Sequence, residues 1–219
     1  IKSDAGDISI AAAATINLAA AENKSDYSYS NQGSTNWGRS TNIEQRNIDS
    51  DLTQATLNAN NINLSSGSDI NIAAAQLAAV NDINLTTLGG NLNITNGVNT
   101  AYENIEVTKS AIDSTSESKN GFYKEELVAS TIMAGANVNI DTNGAGDVNL
   151  TGSDIVAGAD VNMGRFTITA DSDGNYVTDS NGNYVTESTS SVANVNIAAA
   201  ELRDEKWSYY SKSSLFGLE

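Results

Sequence analysis

Residues 55–85 read ATLNANNINLSSGSDINIAAAQLAAVNDINL, and one phrase occurs in them three times: NINL at 61–64, DINI at 69–72 and DINL at 82–85. Each copy sets an apolar residue, an Asn and a second apolar residue behind an Asp or Asn. Alternation with a period of two puts both apolar side chains on one face of a strand and the Asn on the other. Working outward, the phrase returns as DISI at 7–10, TINL at 15–18, NLNI at 91–94, NIEV at 104–107, NVNI at 137–140, DVNL at 147–150, DVNM at 160–163 and NVNI at 194–197. Many short, near-identical strands at regular spacing indicate stacked repeats.

The spacing sets the size of one coil. A third, weaker strand around Gln76-Leu77-Ala78 fills the long gap between Ile70 and Ile83. Leu57 then recurs as Leu77 after 20 residues, Ile62 as Ile83 after 21 and Ile70 as Leu92 after 22, while Ile132 to Ile155 and Val138 to Val161 each span 23. About three short strands per coil of 20–23 residues is the arithmetic of an all-β solenoid, a right-handed parallel β-helix, the hand being that of parallel crossovers. A longer repeat lies over this one: Leu52–Leu85 aligns with Leu127–Met163 at an offset of 75 to 78. Ile, Leu, Val and Ala are expected inside, an Asn ladder outside, and small residues at the corners.

Four stretches break the pattern, near 22–50, 109–126, 171–193 and 203–219, and they hold nearly all the aromatic residues. Inserts at a fixed place in a coil emerge from one face of a solenoid. The whole of 1–219 is therefore expected to be a single β-helical repeat segment of about six or seven coils, roughly 30 Å long at about 4.8 Å per layer. Since Ile1 falls in mid-pattern, the segment is expected to be a fragment of something longer.

Composition narrows the function. The 219 residues carry a net charge of −16, and neither Lys nor Arg occurs in 47–108 or 125–164. That distribution argues against nucleic acid as a partner. With no His and no Cys, the usual zinc sites, Ser-His-Asp triads and thiol nucleophiles are excluded. Zero Pro suits an uninterrupted strand ladder.

Three groups of side chains are candidates for chemistry. Asp171, Asp173 and Asp179 lie in the tandem DSDGNYVT-DSNGNYVT and could offer calcium its oxygen ligands. The Gly falls one step early for an EF-hand loop, and Asp-Gly with Asn-Gly favours a hairpin. Asp69, Asp82, Asp147 and Asp160 would suggest glycoside chemistry only if paired across a cleft. They are spread along the repeat at corners, so a solvated turn role is expected, with no catalytic, cofactor or metal site. Tyr27, Tyr29, Trp37, Trp207, Tyr209, Tyr210 and Phe216 are the candidates for surface contact, the alternative being that they pack on the solenoid.

The run Ser153-Asp154-Ile155-Val156-Ala157-Gly158-Ala159-Asp160-Val161-Asn162-Met163 and the insert ending Ser208-Tyr209-Tyr210-Ser211-Lys212-Ser213-Ser214-Leu215-Phe216-Gly217 carry a family resemblance. The chain resembles filamentous haemagglutinin-type exoproteins of two-partner secretion, in the second haemagglutinin-repeat region that contact-dependent growth inhibition proteins also carry. The likeness covers essentially the whole chain, without the family's secretion domain or its toxin or adhesin module. It implies a secreted protein held at the bacterial outer-membrane surface, exported through an outer-membrane transporter partner. The expected role is a non-enzymatic structural rod segment that presents distal modules and assists in delivering a toxin across a target cell's outer membrane. The alternative is an adhesin that binds surface glycans through the aromatic inserts. A polysaccharide-cleaving enzyme is the third reading, since the fold permits it.

Overall fold

The computed structural model describes residues 1–35, 37–168, 186–190 and 192–214. These residues contain strands and no helix, and they divide into two compact units. The first is residues 1–21, 54–97 and 129–200; the second is 22–53, 98–128 and 201–219. The sequence reading takes 1–219 as one repeat segment with inserts, and the second unit contains the inserts read near 22–50, 109–126 and 203–219.

The first unit is a parallel β-helix. One sheet stacks β1 (Ile8–Ala12), β6 (Ile62–Ser66), β9 (Ile83–Thr87), β14 (Val138–Asp141) and β17 (Val161–Met163). A second stacks β2 (Ile16–Ala19), β7 (Ile70–Ala73), β10 (Leu92–Thr95), β15 (Val148–Thr151) and β20 (Val195–Ala198). A third stacks β5 (Ala55–Ala59), β8 (Ala75–Ala79), β13 (Thr131–Ala134) and β16 (Asp154–Ala157). Register follows the sequence phrase: Ile62 pairs with Ile83, Ile70 with Leu92, Leu57 with Leu77, and Val138 with Val161, all parallel.

The apolar residues of the phrase fill the column. Ile62, Ile70, Ile72, Leu77, Ile83, Ile94, Ile132 and Val138 have no exposed surface. Each such side chain contributes about 1.5–3 kcal/mol on burial. Small corner residues let the coils approach. A Cβ on Gly135 would run into the Val80 carbonyl, and one on Gly158 into the Gly135 carbonyl. Corner hydroxyls also turn inward, with Thr142 Oγ1 donating to the Gly146 carbonyl at 2.6 Å.

Among the described residues the stack has five layers, about 19 Å between first and last at about 4.8 Å each. Six or seven were expected from the sequence, where NIEV at 104–107 reads as a further copy of the phrase. It lies instead in a 14-residue strand, where Ile105 pairs antiparallel with Gln45. No Gly or small-residue corner flanks that phrase closely enough to bend the chain into a coil.

The second unit is one five-stranded sheet in chain order: β3 (Ala21–Thr35), β4 (Arg39–Thr53), β11 (Gly97–Ser110), β12 (Ser114–Val128) and β21 (Asp204–Ser214). Its inserts are longer than expected, running over 22–53 and 98–128. Each departs from the first unit at the same corner, after a strand of the second sheet: β2, β10 and β20. In the two intervening layers that corner is closed by Ala74 alone (φ 47°) or by Gly152 (φ 51°) and Ser153. Excursions thus occur every second layer, which is the period of the 75–78 residue repeat. A further pair, β18 (Arg165–Ile168) and β19 (Thr186–Ser190), is antiparallel and leaves from another corner. The tandem octapeptide between them lies outside the described residues.

Candidate contact surface

In the first unit, most of the polar groups of the coils are turned on one another. Asn71 Nδ2 donates to Asn17 Oδ1 at 2.8 Å, Asn93 to Asn71 at 2.8 Å, Asn149 to Asn93 at 2.7 Å and Asn196 to Asn149 at 2.8 Å. A second ladder runs through Asn63, Asn84, Asn139 and Asn162 at 2.7, 2.8 and 2.9 Å. Both ladders have one polarity, each amide donating to the layer before it.

The corner carboxylates form ladders of their own. Asp7 Oδ1 accepts from the Asn61 amide nitrogens at 3.1 and 2.8 Å, and Asn61 Oδ1 accepts the Asp82 backbone N–H at 3.2 Å. Asp82 Oδ1 then accepts the Asn137 N–H at 2.9 Å, and Asn137 Oδ1 the Asp160 N–H at 3.3 Å. At the next corner Asp69, Asn91, Asp147 and Asn194 repeat the chain at 2.7, 2.8 and 2.8 Å. Asp and Asn therefore alternate along each stack, so no two carboxylates occupy adjacent layers. These Asp residues do sit at corners as expected. Their role differs from the solvated turn expected of them: Asp69, Asp82 and Asp147 are half-buried acceptors that tie one layer to the next.

In the second unit, Ser50 is the only described residue that is fully buried, so the sheet has no apolar core of its own. Side-chain pairs across strands and along them hold it together. Arg46 donates to Asp26 at 2.9 Å, and Lys119 pairs with Glu117 at 2.8 Å and Glu106 at 3.3 Å. Those hydrogen bonds hold the Asp26 and Glu117 carboxyls below, and Lys119 above, their ordinary values. Tyr123 donates to Glu125 at 2.8 Å, which raises the phenol, and Arg203 lies 5.0 Å over the Tyr123 ring.

The structure separates the aromatic candidates. Trp207 is opposite Gly121, where a Cβ would meet its indole ring. The missing side chain lets the ring lie across β12, 5.8 Å from Tyr102, with Nε1 donating to Asn104 Oδ1 at 3.3 Å. Trp207 is thus packed on the sheet. Tyr27, Tyr29, Trp37, Tyr209 and Tyr210 are exposed, Trp37 by 85%. They do not form one cluster: Tyr27 and Tyr29 lie on edge strand β3, Tyr209 and Tyr210 on the opposite edge strand β21. Phe216 lies outside the described residues, as do Asp171, Asp173 and Asp179. Among the described residues no group of three acidic side chains is close enough to hold a metal ion.

Sequence reasoning did not single out Arg39, Lys109 and Ile112, which the structure places with Trp37 and Tyr210 around two grooves at the turn end of the sheet. The signal was present, since the inserts gather the Lys and Arg that the coils exclude.

A stacked parallel solenoid with a hairpin on every second coil is a repeat architecture. The hemagglutinin repeat family matches twice, over residues 2–111 and 109–202, and the chain belongs to that family. No curated protein and no solved structure matches it. Family membership makes it a structural or adhesin-like segment of an exoprotein.

Proposed function

We propose that this chain is a load-carrying spacer in a secreted surface protein, exported with an outer-membrane transporter and holding distal modules, such as a toxin or an adhesin, away from the producing cell. One observation carries the reading. The Asn amides and corner carboxylates of the coils, the groups that would otherwise meet a ligand, are spent on bonds between layers. A solenoid built this way gains length by adding layers and needs no single centre.

A second reading, adhesion through the hairpin sheet, is favoured by the exposure of Tyr27, Tyr29, Trp37, Tyr209 and Tyr210. The two are separated by comparing the parent with a chain in which 22–53, 98–128 and 201–219 are replaced by short Gly-Ser turns. Both are assayed for a cooperative β-sheet melt and for binding to outer-membrane preparations. Equal binding by a folded, trimmed chain supports the spacer; loss of binding with the melt retained supports adhesion. Release of reducing or unsaturated sugar from a polysaccharide panel by the parent refutes the non-enzymatic reading.

A further inference from the structure

We propose that the turn end of the hairpin sheet is a binding site for an acidic polysaccharide, in which Arg39, Lys109 and Lys212 hold anionic groups while Trp37 and Tyr210 cover sugar rings. This deepens the adhesive reading and rests on it.

The cations are the first observation. The chain has 11 Lys and Arg against 27 Asp and Glu. Among the described residues Lys2, Arg46, Lys119, Lys124 and Arg203 are each in an ion pair, whereas Lys24, Arg39, Lys109, Lys206 and Lys212 are in none, and three of those five gather at one groove. In a chain of net charge −16, three unpaired cations around one groove of about 230 Å³ are a local reversal of sign. Sheet register produces it. Thr41 is opposite Lys109 and Ser116 is opposite Lys212, and the Ala111 N–H donating to the Ser114 carbonyl at the β11–β12 turn sets Lys109 beside Ser116, so the four residues form a row across the sheet. Thr41 and Ser116 add hydroxyl donors between the charges. Asp113 lines the adjoining groove and accepts from Ser114 at 3.3 Å.

The aromatic groups are the second observation. Arg39 and Ala111 line both this groove and a neighbouring one of about 570 Å³, whose walls include Trp37 and Ile112, 85% and 78% exposed. Trp37 stands at φ 92°, a region that a bulky side chain disfavours. Such strain, at about 1–3 kcal/mol, concentrates where a side chain is presented for use. Tyr210 lies two residues from Lys212 on the same strand face and is 67% exposed.

Geometry selects the ligand. Lys109 and Lys212 are on strands two apart, about 10 Å at about 4.8 Å per strand. That separation is too wide for both to grip one small anion and suits a chain that carries an acid at intervals. Exposed aromatic faces beside the cations match the apolar faces of sugar rings.

The full chain is titrated with dextran sulfate, polygalacturonate and unsulfated dextran in low salt, the first two arms distinguishing sulfate from carboxylate. The expected result is salt-sensitive binding to at least one acidic polymer and none to unsulfated dextran. Lys109→Ala with Lys212→Ala weakens it about tenfold or more, Trp37→Ala weakens it at both low and high salt, and Lys24→Ala leaves it unchanged. All four side chains are exposed, and an unchanged melt confirms the fold in each variant. Equal affinity in the parent and the double lysine variant overturns the site, as does equal weakening by Lys24→Ala. If the parent binds outer-membrane preparations and the double lysine variant binds them equally, the ligand assignment fails and the adhesive reading stands. If the parent binds neither membranes nor any polymer, both fail.

Discussion

The polarity of the Asn ladder predicts that one substitution has three different costs at three heights in the same stack. Asn93 is half-buried in the middle layer, donating to Asn71 Oδ1 at 2.8 Å and accepting from Asn149 at 2.7 Å. Asn93→Asp keeps the acceptor and removes the donor, so Asn71 Oδ1 faces a carboxylate oxygen. The lost hydrogen bond costs about 1 kcal/mol and the opposed acceptors about 1–3 kcal/mol more, about 2–4 in all. Asn17 heads the ladder and only accepts, from Asn71 at 2.8 Å. Asn17→Asp turns that contact into a charge-assisted one and is expected to be neutral. Asn196, exposed in the last layer, only donates, and Asn196→Asp should cost about 1 kcal/mol. Urea unfolding followed by far-UV circular dichroism measures the series, with an unchanged m-value showing that each variant unfolds from the same state. If Asn17→Asp costs as much as Asn93→Asp, or if the middle substitution is silent, the directional ladder is refuted.

Other positions test packing and charge. Gly135→Ala forces a Cβ onto the Val80 carbonyl and should lower the urea midpoint sharply, whereas Gly33→Ala, with nothing within 4 Å, should leave it unchanged or slightly raised. Gly121→Ala forces a Cβ onto both the Glu103 carbonyl and the Trp207 ring, and should displace the ring from Tyr102 and shift indole emission to the red, because Trp37, the other Trp, is already exposed. An unchanged spectrum would show that the ring does not depend on the gap. The Arg46 hydrogen bond holds Asp26 below its ordinary pKa, so the stability it lends is present above the unfolded carboxylate value of about 4 and is lost as pH falls through the lowered one. The difference in melting temperature between the parent and Arg46→Gln should therefore close in acid; a gap that persists at about pH 2 counts against the pairing.

Legibility in the sequence tracked how local the deciding interaction is. The inward Ile62, Leu64, Ile70 and Ile72 and the outward Asn63 and Asn71 follow from an alternation within four residues. Coil length follows from the recurrence of that alternation. Asp7, Asn61, Asp82, Asn137 and Asp160 spell their own alternation in the sequence, but its meaning needs the register that places them in successive layers. The second unit was harder to read, because Asn104-Ile105-Glu106-Val107 satisfies the coil phrase and only the missing corners around it say otherwise. Trp207 was unreadable as a packed residue: nothing near it in the chain points to Gly121, the residue whose lack of a side chain makes its place.

The two-layer repeat has a physical reason that can be tested by deletion. Two layers of the first unit carry one excursion, a hairpin that adds two strands to the sheet of the second. Two layers also complete one Asp-Asn period at each corner. Removing residues 55–74 takes out one layer, β5, β6 and β7 with Ala74. Asp82 would then follow Asp7 directly, and two carboxylates in adjacent layers about 5 Å apart repel by about 1–3 kcal/mol at effective dielectrics between 80 and 20. Successive hairpins would also leave from adjacent layers and no longer from every second one. Removing residues 55–130 takes out two layers and one hairpin. Asn137 then follows Asp7, Asp147 follows Thr15, and β21 takes the place of β11 beside β4, each substitute being of the kind the position already holds. The longer deletion should therefore melt as one cooperative transition, the shorter should lose that transition or melt much lower, and comparable melts for the two would refute the two-layer unit.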